Sequence, residues 1–200
     1  KILELKKICK EFHLLLIEDA AEAIGSFYKG KHLGLFGDAS ILSFNGNKTI
    51  TTGGGGAILT NNRNFANIAK HLTTTAKMKH KWEYIHDKIA YNYRMPNINA
   101  AVGCAQLENI DRIIKAKRRN FLSYKKIFKS EKNFFLLSES INSKVNYWLI
   151  TIILKKPDFK TRNSILRYIN SKGYEARPIW RPLHKLSIFK GAPRDNLSTS

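Results

Sequence analysis

Cysteine, acidic side chains and long apolar runs are all scarce in this 200-residue chain, and each shortage excludes a class of protein. Cys9 and Cys104 are the only cysteines, too few for a disulfide framework or a cysteine-based metal site. The longest apolar stretches, 14–17 and 148–154, fall well short of the length that crosses a bilayer. We therefore expect a cytoplasmic protein with no metal and no membrane partner.

The shortage of acidic residues leaves a formal net charge of +20, from 35 Lys and Arg against 15 Asp and Glu. Such a charge attracts anions, and nucleic-acid binding is one interpretation of it. However, 25 of the basic residues are Lys and only 10 are Arg, whereas base readout and bidentate phosphate contacts favour Arg. Lys, Asn and Ile are all abundant, as AT-rich coding produces. We predict no nucleic-acid partner, and keep a basic nucleic-acid-binding protein as the alternative.

The two ends of the chain and its composition indicate how it is organised. The chain begins with Lys1 and ends in a polar stretch, 195–200, that resembles a helix N-cap. We therefore expect part of a longer protein. A change in composition near residue 130 predicts a domain boundary, with a larger domain over 1–130 and a smaller one over 131–200.

Hydrophobic spacing predicts alternating helices and short strands, the pattern of an α/β protein. Helices are predicted over 2–12, 20–25, 64–73, 98–128 and 161–172. Strands are predicted over 13–17, 40–44, 55–60 and 145–154, and the first of these reads as a buried parallel strand because it is almost continuously apolar.

Two polar residues follow predicted strands. Asp19 comes after a run of apolar residues, and ligands of open α/β sheets bind beyond the carboxyl ends of the strands. A helix N-cap is the alternative role for this Asp. Lys48 lies 29 positions later in a loop followed by the glycine run 53–56, which suggests a backbone that approaches a ligand closely. A solvated surface Lys is the alternative.

An Asp and a Lys in this order are the pair that pyridoxal phosphate chemistry requires. The Lys amine forms a Schiff base with the cofactor aldehyde, and the Asp keeps the pyridine nitrogen protonated so that the ring accepts electrons. Neither residue is decisive alone, but their order and spacing together favour this cofactor.

Five ordered motifs surround these two residues. They are LIEDAAEAIG at 16–25, GD at 37–38, SFNGNK at 43–48, four glycines at 53–56, and NYRM at 92–95 followed by AA at 100–101 and QLE at 106–108. Together they resemble the DegT/DnrJ/StrS family of pyridoxal-phosphate-dependent sugar aminotransferases. The SFNGNK motif and the four-glycine run are most similar to those of the 4-keto-6-deoxy-sugar nucleotide branch, including its legionaminic acid type. The resemblance covers essentially the whole chain.

The resemblance implies a role for each matching residue. Lys48 is the expected Schiff-base lysine and Asp19 the partner of the pyridine nitrogen. Glu22 lies beside the cofactor's phenolic oxygen, where many members have Gln or His. Ser43 hydrogen-bonds the cofactor phosphate, and Asn92 reaches the phosphate of the partner subunit's cofactor. A last group matches a segment near the sugar nucleotide: Arg177, Trp180 and His184.

The resemblance also implies a fold and an activity. The fold is the type I, aspartate aminotransferase-like fold, with a partial large domain and a partial small α+β domain. The expected activity moves an amino group, with glutamate as the donor, to the 4-keto position of a nucleotide-linked deoxysugar. The product is expected to serve cell-surface polysaccharide or lipopolysaccharide biosynthesis. The expected enzyme is a homodimer with shared active sites. The family's first strands and its phosphate loop have no counterpart here, so we expect these 200 residues alone to bind the cofactor poorly and to be inactive. A non-catalytic paralogue is the remaining alternative.

Overall fold

The structure is a computed structural model that describes residues 1–197. Its helices are α1 Ile2–Glu11, α2 Arg63–Thr73, α3 Asn97–Glu108, α4 Ile110–Ile127 and α5 Phe159–Ser171. Its strands are β1 Ile17–Asp19, β2 Phe27–Tyr28, β3 Lys31–His32, β4 Ala39–Ser43, β5 Gly56–Leu59, β6 Phe134–Leu136, β7 Ser143–Lys144 and β8 Ile152–Leu154. The helix start predicted at 195–200 falls partly on 198–200, outside the described residues. Within the described range, every helix is too short or too polar to cross a membrane.

The chain divides into two compact units. One contains Lys1–Ser130 and Leu136–Ile152, and the other contains Glu131–Phe135 and the chain from Ile153 onwards. The predicted division at residue 130 therefore differs from the structure, because residues 136–152, assigned to the smaller domain, pack in the first unit. The physical reason is Asn146, which is buried and bonded to the carbonyls of Glu22 and Ile24 and to the Ser26 hydroxyl.

The first unit is built on a mixed sheet in the order β1-β4-β5. Strand β4 runs parallel to β1, with Asp19 opposite Ile41, and antiparallel to β5. A second sheet has the order β3-β2-β7. The buried core of the first sheet consists of Ala20, Ile24, Leu42 and Ile50.

The predicted buried strand over 13–17 is wrong in place and in burial. Helix α1 ends in a turn in which His13 has a φ of +53° and the Leu14 N–H donates to the Cys9 carbonyl at 2.7 Å. That cap uses the start of the apolar run, so pairing with β4 begins only at Ile17. Leu14, Leu15 and Ile17 are all exposed.

The predicted helix over 20–25 is also wrong. The segment forms two successive turns, in which the Ala23 N–H donates to the Ala20 carbonyl and the Ser26 N–H to the Ala23 carbonyl. Gly25 has a φ of +77°, and a Cβ there would lie 2.7 Å from the Ile114 Cδ1. The positive φ favours glycine here, and the close approach of the Ile114 side chain from α4 adds to that preference.

Two longer elements are interrupted where an asparagine bonds to nearby backbone. The helix predicted over 98–128 breaks at Asn109, whose Nδ2 donates to the Ala105 carbonyl that the break leaves open. The strand predicted over 145–154 forms only as β8, because the Asn146 side chain accepts from the Trp148 N–H and Tyr147 takes a φ of +49°. The other predicted helices and strands agree with the structure within one to three residues at each end.

The second unit contains α5, whose first turn is capped by Asp158. The Asp158 carboxylate accepts N–H bonds from Lys160 at 3.1 Å and from Thr161 at 2.7 Å. The bond with Thr161 lowers the pKa of this carboxyl. After α5, the Asn170 amide donates to the carbonyls of Leu166 and Ala176.

Candidate active site

Two predicted site residues end neighbouring parallel strands. Asp19 is the last residue of β1 and Ser43 the last of β4, so both lie at the carboxyl edge of the same sheet. The Asp19 Oδ1 accepts the Ala21 N–H at 3.1 Å, and the Ser43 hydroxyl accepts the Asn45 N–H at 3.4 Å. Because turns and not a helix follow Asp19, the helix N-cap alternative is wrong for this residue.

The neighbouring carboxylate, Glu18, fixes the strand that carries Asp19. Its two oxygens accept three backbone N–H bonds, from Gly34 at 2.9 Å and from Phe36 and Gly37 at 2.6 Å each. This carboxylate ties β1 to the loop before β4 and leaves the adjacent Asp19 exposed at the sheet edge. The motif at 16–25 thus contains one carboxylate that holds the backbone and one that faces outwards.

Lys48 lies in a turn directly after β4. Its N–H donates to the Asn45 carbonyl at 3.0 Å, and the turn is closed by the Thr52 N–H, which donates to the Phe44 carbonyl at 3.0 Å. Thr49, Ile50 and Thr52 are buried, so the backbone on the C-terminal side of Lys48 is anchored in the core.

The Lys48 side chain is enclosed, with only 13% of its surface exposed. Its Nζ donates to the Glu22 Oε1 and lies 4.6 Å from the centroid of the Trp148 ring. This contact brings the Lys48 amine to the carboxylate of Glu22, which lies three residues beyond Asp19 in the chain. The solvated-surface alternative for Lys48 is therefore wrong.

Two residues of this site were missed by the sequence analysis, Asn146 and Trp148. The Asn146 Nδ2, which carries two hydrogens, lies within hydrogen-bond distance of three acceptors: the carbonyls of Glu22 at 2.7 Å and Ile24 at 2.9 Å, and the Thr49 hydroxyl at 3.2 Å. The Trp148 Nε1 donates to the Asn47 carbonyl at 2.5 Å. About a hundred residues separate these partners along the chain, so local sequence carries no signal of the contacts.

The segment 145–148 is held on α4 by charged groups. The Arg118 guanidinium donates to both Glu139 oxygens, at 3.0 and 2.8 Å, and to the Val145 carbonyl at 3.0 Å. This ion pair lowers the pKa of the Glu139 carboxyl and raises that of Arg118. The Lys117 Nζ donates to the Trp148 carbonyl at 3.3 Å, and burial lowers the pKa of Lys117.

The ring of Tyr147 adds an aromatic contact between the same segment and α4. It stacks on the Phe121 ring of α4 with 3.9 Å between centroids and 12° between planes. Its neighbours Asn146 and Trp148 meanwhile contact the turns that carry Glu22 and Lys48. The φ of +49° at Tyr147 belongs to the left-handed region, which non-glycine residues adopt at a cost, so tertiary packing holds this turn in place.

Three of the four glycines after Lys48 are explained by the conformation and packing of the backbone itself. Gly53 and Gly55 have φ values of +80° and +92°, which side chains disfavour. A Cβ at Gly56 would collide with the Leu42 carbonyl oxygen across the β4–β5 pair. Helix α3 then packs on this loop, where the Asn99 Nδ2 donates to the Thr52 carbonyl at 2.5 Å.

The remaining predicted site residues have other neighbours in the structure. Asn92 is exposed in the first unit and forms an isolated antiparallel bridge with Thr74 at the end of α2. Arg177, Trp180 and His184 belong to the second unit and are exposed or half-exposed there. The Arg177 Nε donates to the Glu175 carboxylate at 2.8 Å, and the His184 carbonyl accepts from Arg194 at 3.4 Å.

The donor set at the sheet edge fits pyridoxal phosphate. An enclosed primary amine at Lys48 suits covalent attachment of an aldehyde. An outward carboxylate at Asp19 suits a protonated ring nitrogen, and a hydroxyl at Ser43 suits a phosphate oxygen. The Glu22 carboxylate, which contacts the amine, completes a set of four polar side chains whose types match what the cofactor offers.

Comparisons with known proteins agree with this fold. A family model described as the DegT/DnrJ/EryC1/StrS aminotransferase family matches residues 1–199. GDP-perosamine synthase of Vibrio cholerae is 40% identical over 192 residues, which cover 94% of this chain and 51% of that protein.

Two solved structures show the same fold. Helicobacter pylori PseC, an aminotransferase involved in the biosynthesis of pseudoaminic acid, matches with a TM-score of 0.90 at 27% identity, over 95% of this chain and 52% of that one. E. coli GDP-4-keto-6-deoxy-D-mannose-3-dehydratase with bound hydrated PLP matches with a TM-score of 0.78 at 24% identity, over 88% and 49%. The predicted transferase fold, present in part, is confirmed, and the chain spans about half the length of the relatives it matches.

Proposed function

The chain belongs to the DegT/DnrJ/EryC1/StrS aminotransferase family, and on that premise we propose that the protein carrying it moves an amino group from an amino acid to the 4-keto position of a nucleotide-linked deoxysugar. The donor in this proposal is glutamate, and the product enters cell-surface polysaccharide or glycan biosynthesis. Support comes from relatives named for the synthesis of GDP-perosamine and for the biosynthesis of pseudoaminic acid.

Pyridoxal 5′-phosphate is the cofactor of this family, and when bound it supplies an aldehyde that exchanges amino groups and a ring that withdraws electrons from the reacting carbon. In our proposal the Lys48 Nζ holds the aldehyde carbon and, once released, moves a proton to and from the sugar carbon. The Asp19 carboxylate holds a proton on the ring nitrogen, and the Ser43 hydroxyl binds the phosphate. Glu22 orients the amine with which it is in contact.

The single observation that supports this proposal most is the enclosure of the Lys48 amine. It is 13% exposed, contacts the Glu22 carboxylate and lies under the Trp148 ring, and Glu22 follows Asp19, the last residue of β1, by three positions. A lysine that serves only as a solvated surface residue needs neither the contact with Glu22 nor the Trp148 ring over its amine. An amine that must present one nitrogen to a fixed aldehyde requires a defined position, because a misplaced reacting atom slows the reaction steeply.

The remaining predicted residues are proposed as binding groups. Asn92 contributes to the phosphate site of the partner subunit in a homodimer with shared sites. Its exposure in the chain agrees with a contact made outside the subunit. The proposed contacts to the sugar nucleotide are made by the second unit, through Arg177, Trp180 and His184.

The test is Lys48→Ala in the complete protein. We expect the visible absorbance of the Lys48-linked cofactor to disappear, and transfer of labelled nitrogen from glutamate to a 4-keto sugar nucleotide to fall by about 10³-fold or more. The matched control is Lys29→Ala, because Lys29 is another first-unit lysine placed near an aromatic ring, that of Tyr28 at 5.8 Å. Turnover retained by Lys48→Ala contradicts the proposal.

The substrate is tested with a small panel of GDP-, UDP- and TDP-linked 4-keto sugars under the same assay. Rapid amine transfer to one member with keto acid released from glutamate supports the proposed reaction. Transfer to none of them, in a protein that binds the cofactor, contradicts the sugar-nucleotide assignment and leaves the cofactor assignment intact.

A further inference from the structure

Asn146 has the bonding pattern of a clamp between two turns of the candidate active site. Its side chain is among the most buried polar groups described, with 4% of the residue exposed. Its Nδ2 shares two hydrogens among three acceptors within hydrogen-bond distance, the carbonyls of Glu22 and Ile24 in one turn and the Thr49 hydroxyl in the other. Thr49 directly follows Lys48. The Asn146 amide therefore contacts both the residue next to the lysine and the backbone carbonyl of Glu22, whose carboxylate contacts the lysine amine.

The other end of the same amide sets the position of Trp148. The Asn146 Oδ1 accepts the Trp148 N–H at 2.9 Å, which closes a tight turn around Tyr147. The Trp148 indole then lies with its ring 4.6 Å from the Lys48 Nζ, and its Nε1 donates to the Asn47 carbonyl at 2.5 Å. Two hydrogen bonds, one from the Trp148 backbone N–H and one from its Nε1, thereby fix the ring over the Lys48 amine.

From these contacts we propose that Asn146 is a positioning residue for Lys48: it fixes the Glu22 and Lys48 turns against each other and places the Trp148 ring over the lysine amine. The proposal rests on Lys48 being the cofactor lysine. A buried amide that loses its partners leaves polar groups unpaired in the interior, so no alternative arrangement of the two turns is available at low cost.

The electrostatics of the site agree with this role. Glu22 is in contact with the Lys48 amine, and the Nζ of Lys117 in α4 donates to the Trp148 carbonyl. A lysine ammonium is attracted to the face of an indole, and more strongly when water is excluded. A displaced Trp148 would expose the amine to water and let its position vary.

The test measures how fast Lys48 is modified by an amine reagent in the cofactor-free complete protein, with the peptide that carries it followed by mass spectrometry. The variants are Asn146→Asp, which keeps the shape and replaces the amide donor by an acceptor facing two carbonyls, and Trp148→Leu. Since the Lys48 side chain is 13% exposed, we expect both to raise its modification rate on the order of fivefold, while other lysines react as before.

The matched control is Asn170→Asp. Asn170 also donates one amide to two carbonyls, those of Leu166 and Ala176, but it is exposed and belongs to the second unit. We expect no change in Lys48 reactivity from this variant. In the cofactor-loaded protein, the visible circular dichroism band of the bound cofactor should weaken in Asn146→Asp and not in Asn170→Asp, because the amine loses its fixed orientation.

An unchanged Lys48 rate in folded Asn146→Asp overturns the proposal. If Asn146→Asp does not fold, Trp148→Leu decides the question, and an unchanged rate there has the same consequence. Because the modification is read without cofactor or turnover, its failure leaves the proposed amino-group transfer standing. Conversely, loss of transfer in Lys48→Ala says nothing about Asn146.

Discussion

The ion pair between Arg118 and Glu139 connects α4 to the segment that delivers Asn146 and Trp148, and we expect Glu139→Gln to loosen that segment. The pair is bidentate, and the Glu139 Oε2 also accepts the Val145 N–H at 3.1 Å. A glutamine keeps one oxygen, but its amide donors then face the donors of Arg118 or Val145. At least one charge-assisted bond is lost in either orientation.

The magnitude follows from the degree of burial. Exposed ion pairs contribute about 0–1 kcal/mol, whereas hydrogen bonds to charged groups out of full solvent contribute about 1.5–3 kcal/mol. The side chains of Arg118 and Glu139 are 29% and 27% exposed, so the pair lies towards the second case and we expect a loss of about 2 kcal/mol. That corresponds to about 30-fold faster amide exchange if the segment opens locally.

The assay is hydrogen exchange of the peptide over residues 143–150 in the complete protein, with native and Glu139→Gln forms compared at about pH 7. Glu175→Gln is the control, because its partner Arg177 and Glu175 itself are 81% and 73% exposed and such a pair contributes little. Exchange accelerated less than about twofold by Glu139→Gln would refute the reasoning.

The same pair gives a direction for the pH dependence. Because the Arg118 guanidinium lowers the folded-state pKa of Glu139, its stabilisation is complete above the unfolded pKa and is lost as pH falls through the folded pKa. The difference between the native protein and Glu139→Gln should therefore shrink in acid. A difference that stays constant down to about pH 3 would contradict the assigned cause.

Two further predictions concern packing around the site. Gly56→Ala should lower the free energy of unfolding by about 1–3 kcal/mol, because the added Cβ meets the Leu42 carbonyl across the sheet. The control is Gly54→Ala, which has open space around its Cβ and should change the free energy of unfolding by less than about 0.5 kcal/mol. Urea denaturation compares the two variants, and equal effects would contradict the cross-strand explanation. Phe121→Ala should cost about 3–5 kcal/mol in the same measurement, since the ring is 2% exposed and stacks on Tyr147, and a cost under about 1 kcal/mol would show that Tyr147 is held by other groups.

Local sequence predicted well what depends on local spacing. The helices over 63–73 and 159–171 and strands β4 and β5 were placed within a few residues, because apolar periodicity and flanking turn residues determine them. The motif at 43–48 likewise predicts a reactive lysine, and this stays a prediction; its contact with the Glu22 carboxylate was not predicted from the sequence. The specific cofactor contacts of Asp19, Ser43 and Asn92 stay predictions.

The parts of the structure that the sequence did not predict depend on contacts between segments far apart in the chain. The run 13–17 has the composition of a buried strand, but the helix cap at His13 and pairing that begins at Ile17 leave it exposed. Residues 145–151 have strand-like composition, yet the bonds of Asn146 to residues 22–26 and 49 bend them into a turn. Tertiary contacts override local preference in both places.

The span of the Asn146 contacts along the chain bears on when this site can exist during synthesis. The bond from Asn146 to Thr49 joins residues 97 positions apart, and the bond from Trp148 to Asn47 joins residues 101 apart. At a translation rate of about 5–20 residues per second, the lysine turn waits roughly 5–20 seconds for the amide and indole that enclose it. A nascent polypeptide therefore presents Lys48 uncovered until about a hundred further residues have been made, and the lysine amine is one of the last parts of the first unit to acquire its surroundings.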